Sequence, residues 1–188
     1  HAILGWTALL RHGDLDRPTM DRGLDAIERN TRTQAELVET LLDLTRVMSE
    51  KFSISRASVD LTEIVEDVLD AQQGEAARKN GLLGAELQKR VVVHGDTERL
   101  EQISTHLVTH AVRATSPGGR VLVRVERRSD LGSLTVTDTG RGIRPDALPH
   151  AFDYFQSGKD VGALGPGLSL FLVKRLVELH DGSVWADS

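Results

Sequence analysis

Apolar residues along this chain recur first at helical spacing and later in alternation, and the change falls near residue 52. Ala2 to Leu10 is apolar on one side and stops at His12-Gly13, a helix C-terminal signal. After a short turn over 14–17, Asp16 is placed to cap a second helix, with Pro18 in its first turn. That helix runs to about Met48 along the stripe Met20, Leu24, Ile27, Thr31, Gln34, Val38, Leu41, Thr45, Met48. Steps of four and three make a bundle or coiled-coil seam. Two helices joined by a tight turn form an antiparallel hairpin, too thin to bury such a seam alone. A homodimeric four-helix bundle through residues 1–50 is therefore expected.

From Phe52 the pattern shortens. Phe52 to Val59 reads as a strand, and Asp60 with Glu63 as a capping box for a helix that closes at Asn80-Gly81. Leu82 to Leu87 and Val91 to Val93 read as strands. Asp96 caps a helix through Leu100, Ile103, Leu107 and Ala111, to about Ala114. Beyond the Ser116-Pro117-Gly118-Gly119 turn, Arg120 to Arg128 and Leu134 to Asp138 read as partner strands. Residues 156–166 form a glycine-rich loop, Leu168 to His180 a helix, and Gly182 to Ala186 a last strand. Strands with interleaved helices predict an α+β chain: a helical hairpin, then a mixed sheet with helices on one face.

Composition narrows the classes. Of 188 residues, 39% are hydrophobic and 27% charged, as in a globular protein, and aromatics at 4% leave the core to Leu, Val, Ile and Ala. The net charge of −5 argues against a nucleic-acid partner. With no cysteine, disulfides and thiolate metal sites are excluded, which fits a reducing, cytoplasmic setting. No apolar run approaches the roughly 20 residues of a membrane span, so no membrane contact is expected within this chain. A longer protein containing it would still be free to carry an anchor. The chain starts inside a helical pattern and stops just after a strand signal, as a fragment would.

The chemistry concentrates late in the chain. The strand ending at Asp138 delivers a carboxylate into Thr139-Gly140-Arg141-Gly142-Ile143. Asp138 can hold a fixed donor such as a purine amino group, and Gly140 and Gly142 let a flat ring approach the backbone. Gly165-Pro166-Gly167-Leu168-Ser169 then opens an apolar helix, whose free N–H groups and dipole suit a phosphate. One element for a base and one for a polyphosphate suggest a nucleotide site. A P-loop is excluded because Gly162 to Ser169 contains no Lys, and a Rossmann site because the glycines follow a loop. His106 and His110 have the i, i+4 spacing of a two-histidine metal face, but Leu107 stands where a zinc hydrolase needs Glu and no third ligand is in view.

Asp96 to Ile103, Asp138 to Ile143, Gly165 to Ser169 and Val173 to His180, in that order, resemble the catalytic core of sensor histidine kinases, the two-component signalling enzymes. Ala2-Ile3-Leu4-Gly5-Trp6 is similar to the stretch after that family's phosphoacceptor histidine. The resemblance implies a phosphoacceptor and dimerisation hairpin at 1–50 and a Bergerat-type ATP-binding α/β sandwich at 55–188. It implies autophosphorylation from ATP and relay to a response-regulator receiver domain. By the same resemblance Asp138 binds the adenine amino group and Gly140, Gly142 and Ile143 form the first glycine box. Gly165, Gly167, Leu168 and Ser169 form the second, with Ser169 where a third glycine is usual. Phe152 and Phe155 would anchor the ATP lid. Arg113, and Lys159 in the lid, would face the phosphates, and His106 would line the ATP site.

Two departures stand out. The family's asparagine box supplies an amide oxygen to Mg2+ at the position held here by His110. Magnesium prefers oxygen in octahedral geometry, so weakened Mg-ATP binding or slowed transfer is expected. In the family the phosphoacceptor lies about two helical turns before the Ala-Ile-Leu-Gly stretch, so by the resemblance it would precede residue 1. His1 also has Ala2 where the family carries an acidic neighbour. The alternative reading is a degenerate, dimeric signalling scaffold. A related ATPase or serine kinase of the same fold is disfavoured by the heptad hairpin.

Overall fold

The computed structural model describes residues 2–13, 15–49, 52–153 and 167–188, and the chain divides into two compact units, 1–46 and 47–188. In the first, α1 (Ala2–His12) ends at Gly13 with φ of +80°, and α2 (Arg17–Val47) begins behind Asp16, whose carboxylate accepts the Thr19 N–H at 3.1 Å. The helices meet closely where Gly23 faces Trp6, since a Cβ at Gly23 would stand 2.7 Å from the indole ring. Within this unit α2 buries Gly23, Ala26, Thr40 and Leu44, a face of mainly small and aliphatic residues. The stripe read from the sequence lies on another face, and its Met20, Leu24, Val38, Leu41 and Met48 are exposed.

The second unit contains β1 (Ala57–Asp60), α3 (Leu61–Arg78), β2 (Leu82–Leu87), β3 (Val92–Gly95), α4 (Thr97–Ala114), β4 (Arg120–Arg128), β5 (Leu131–Asp138) and α5 (Gly167–Leu179), with a 3-10 turn at Leu148–His150. β2, β4 and β5 form a mixed sheet in that order, parallel between β2 and β4 and antiparallel between β4 and β5. β1 and β3 form a separate antiparallel pair. Val121, Val123 and Val125 alternate inward from β4 onto Val65, Val68 and Leu69 of α3 and Val108, Ala111 and Val112 of α4. Leu170, Leu172, Val173 and Leu176 bury the inner side of α5, which packs on α4.

Caps fall where local chemistry requires them. Asp60 accepts the Thr62 N–H at 3.0 Å, one residue short of the capping-box pattern, and Asp96 accepts the Arg99 N–H at 3.2 Å. Asn80, at φ of +50°, ends α3 in the left-handed region. Two expected strands are corrected. Of 52–59 only the last residues enter β1, because the Ser55 N–H is taken by the Asp96 side chain instead of a neighbouring strand. Among the described residues, 182–186 carry no strand pairing, although Val184 and Ala186 are half-buried in alternation. Alternation sets a face, whereas a strand also needs a free edge to pair with. The glycine-rich loop, Phe155, Lys159, Gly165 and His1 lie outside the described residues.

Candidate nucleotide site

α4 presents two faces. Ile103, Ser104, Val108, Ala111 and Val112 are buried, while His106, His110 and Arg113 recur at steps of four and three along a neighbouring stripe. β5 ends beside that stripe. Asp138 is its last residue, paired with Val121, and the ladder closes as the Thr139 N–H donates to Arg120 O at 3.0 Å. The chain then turns tightly, with the Gly140 N–H donating to Asp138 Oδ1 at 2.8 Å. This bond orients the carboxylate and leaves Oδ2 as an acceptor.

The glycines are sterically required here. A Cβ on Gly140 would stand 2.6 Å from Ala114 O, at the C-terminal end of α4, so this backbone packs directly on the helix. Gly142 sits at φ of +67°, a region unfavourable to other residues. The Ile143 N–H donates to Ser188 Oγ at 2.7 Å.

Electrostatics tie the turn to the helix. Burial pushes the His110 pKa below its ordinary 6.5; Asp138 pulls it upward, and Arg141 and Arg113 reinforce the lowering. The imidazole is therefore held neutral near neutral pH, within reach of one carboxylate and two guanidiniums. Arg141 lies inside the motif read from the sequence, yet no role was assigned to it. Only the fold brings it into the field of His110.

The donor set does not suit magnesium. His110 offers nitrogen where a hard cation needs oxygen, and cationic Arg113 and Arg141 stand nearby. Among the described residues no group of three or more His, Asp or Glu side chains converges on a point that could hold a metal.

α5 begins at Gly167, with Leu168 and Ser169 half-buried in its first turn. Asp153, next to half-buried Phe152, accepts from His150 at 2.9 Å and from Lys174 of α5 at 3.3 Å. Hydrogen bonds from His150 and Lys174 hold its pKa below the ordinary carboxylate value. The segment after the glycine turn is thereby fastened to α5.

Lys79 is a further contributor that sequence reading missed. Its ammonium donates to Val112 O at 2.9 Å, Arg113 O at 3.0 Å and Thr115 O at 3.3 Å, closing the C-terminus of α4. A lysine just beyond a helix end gives no sign, in sequence, that it caps a different helix.

Residues 95–188 match the family model described as histidine kinase-, DNA gyrase B-, and HSP90-like ATPase. The chain is 34% identical, over 99% of its length, to the sensor protein DivL of Caulobacter vibrioides, covering 24% of that protein. It is also 34% identical, over 100% of its length, to the sensor histidine kinase TrcS of Mycobacterium tuberculosis, covering 38% of it. The chain thus spans well under half of each relative. Among solved structures, full-length ShkA in complex with AMPPNP is 26% identical, with a TM-score of 0.69 over 95% of this chain and 37% of that one. The histidine kinase ThkA, solved with the response regulator TrrA, shares the fold at 18% identity, with a TM-score of 0.76 over 100% of this chain and 53% of that one. An acidic strand end, a glycine turn packed on a helix and a second glycine-led helix occur together in a match of this extent. The chain belongs to the histidine kinase-, DNA gyrase B- and HSP90-like ATPase family.

Proposed function

We propose that this chain is the part of a two-component kinase that binds ATP and presents its γ-phosphoryl group to a histidine lying upstream of residue 1. Residues 1–50 form the dimerisation hairpin and 55–188 the nucleotide-binding unit, acting in the cytoplasm. Asp138 accepts the adenine amino group through Oδ2, while Gly140, Gly142 and Ile143 shape the floor beneath the ring. His106 lines the pocket. Arg113 and Arg141 face the phosphates, and the N-terminus of α5, with Gly165, Gly167, Leu168 and Ser169, offers N–H donors to them. The acceptor imidazole attacks the γ-phosphorus, the bond to the β,γ-bridging oxygen breaks, and ADP leaves. An aspartate on a receiver domain then takes the phosphoryl group. The observation that carries this reading is the Asp138 carboxylate, fixed by Gly140 and aimed from a strand end beside α4.

Magnesium assists phosphoryl transfer in this family by neutralising charge, and His110 is a poor ligand for it. That substitution favours a second reading, a degenerate module that holds nucleotide weakly and signals through its dimer. Calorimetric titration with ATP, with magnesium and then with chelator, separates the two. A competent core binds ATP in a magnesium-dependent way. Asp138→Asn, whose amide still accepts the Gly140 N–H, then weakens binding by about ten- to a hundredfold, the loss expected for a charged hydrogen bond. Binding indifferent to magnesium, with dependence appearing in His110→Asn, selects the degenerate module. An Asp138→Asn variant that binds ATP as well as the parent removes Asp138 from its assigned role.

A further inference from the structure

The residues that lead from α2 into the second unit are held against it by a set of bonds that the nucleotide chemistry does not use. The Phe52 ring lies under the Arg99 guanidinium, 5.4 Å from it. The Ser55 N–H donates to Asp96 Oδ2 at 2.8 Å. Arg56 donates through Nη1 to Asp181 at 2.6 Å and through Nη2 to Leu179 O at 2.6 Å. Asp96 is the N-cap of α4 and Arg99 lies in its first turn, whereas Leu179 ends α5 and Asp181 follows two residues beyond it.

The two helix ends are also joined directly. The Asp96 N–H donates to His180 Nε2 at 3.0 Å, while His180 Nδ1 is 2.7 Å from Leu176 O. That bond makes Nε2 the acceptor, so the Nδ1 proton is the one directed to Leu176. The junction is tightly packed, since a Cβ on Gly95 would stand 2.8 Å from Leu100 Cδ1 and 2.9 Å from His180 Cδ2.

Asp96 therefore does two things at once. Oδ1 caps α4 through Arg99 N–H, and Oδ2 receives the linker. Burial pushes its carboxyl upward, but hydrogen bonds from Ser55 and Arg99 outweigh this and hold the pKa below the ordinary value. Both oxygens are thus in use as acceptors.

We propose that residues 52–56 are a strap that sets α4 against α5, with Asp96 and Arg56 as positioning residues for the nucleotide site. The strap grips the two helices at the ends remote in sequence from the site: α4 carries His110 and Arg113 toward its other end, and α5 starts at Gly167. Tension or slack in the linker then changes the spacing of the base-binding and phosphate-binding elements. By linkage, bound nucleotide tightens the strap in return. This inference rests on the nucleotide site proposed above.

Asp96→Asn isolates the strap in the full chain. Asparagine is as good an N-cap as aspartate, so its oxygen keeps the Arg99 bond. Its amide NH2 replaces the oxygen that receives Ser55 N–H, and two donors then face each other. Arg56→Met removes the bonds to Leu179 and Asp181 while keeping the stem. Melting temperature, backbone hydrogen exchange and ATP affinity are measured for both variants and the parent. The strap predicts near-parental melting, faster exchange at 52–56 and also at 167–172, and ATP affinity lower by roughly fivefold. Faster exchange confined to 52–56, with affinity unchanged, overturns it. Should the parent not bind ATP, the nucleotide reading fails, and exchange at 167–172 still decides whether the strap reaches α5.

Discussion

At the scale of single residues, His110 concentrates the chemistry. A half-buried imidazole in the field of Asp138, Arg141 and Arg113 costs more to protonate in the folded chain than in water. Its folded pKa lies below the ordinary 6.5, so the unfolded chain takes up a proton first as pH falls. The stability linked to neutral His110 is complete above that ordinary value and is lost as pH drops toward the folded one. Thermal melts from about pH 7.5 down to about pH 5 should therefore fall more steeply for the parent than for His110→Asn. Parallel pH profiles for the two chains would show that His110 is not held neutral. Asp138 behaves differently, because its geometry is local: the bond to Gly140 spans two residues, and the sequence motif already implies it.

At the scale of elements, the helices start as their sequences direct and end with help from elsewhere. Asp16, Asp60 and Asp96 each meet an N–H two or three residues on, so the N-termini of α2, α3 and α4 are readable from sequence. The C-terminus of α4 instead depends on Lys79, which comes from beyond α3 and places a positive charge at the negative end of the helix dipole. Lys79→Met leaves three carbonyls without this donor and should cost about 1–3 kcal/mol, read from denaturant unfolding. Lys79→Arg should recover part of the loss. A Lys79→Met chain as stable as the parent would mean that solvent satisfies those carbonyls equally well. Since Gly140 packs on Ala114 O, this cap also supports the turn that forms the floor of the proposed nucleotide site.

At the scale of the whole molecule, the apolar face of α2 calls for a partner. Leu24, Val38 and Leu41 are about half exposed, at 54%, 57% and 49%, on a seam of coiled-coil spacing. Within the chain α2 buries a different face, so the exposed seam is available to a second copy. Sedimentation equilibrium should show a dimer that Val38→Asp with Leu41→Asp converts to monomer. A parent chain that sediments as a monomer across the micromolar range would remove the dimerisation assignment.

Sequence alone determined what is local or periodic in this protein. Helix N-caps, the β4–β5 pairing, the left-handed end of α3 and the Asp138 glycine turn each depend on residues close together in the chain. The family resemblance followed from the same short motifs in order. Tertiary structure decided whatever joins distant residues. It placed Ser55 on Asp96 instead of in a strand and brought Arg141 to His110. It also set Lys79 under α4 and chose which face of α2 to bury. Periodicity reveals that a helix has an apolar face or that a strand alternates. It does not reveal which of two faces meets a neighbour, or which side chain reaches an N–H first, because those outcomes are settled by competition among segments far apart in sequence.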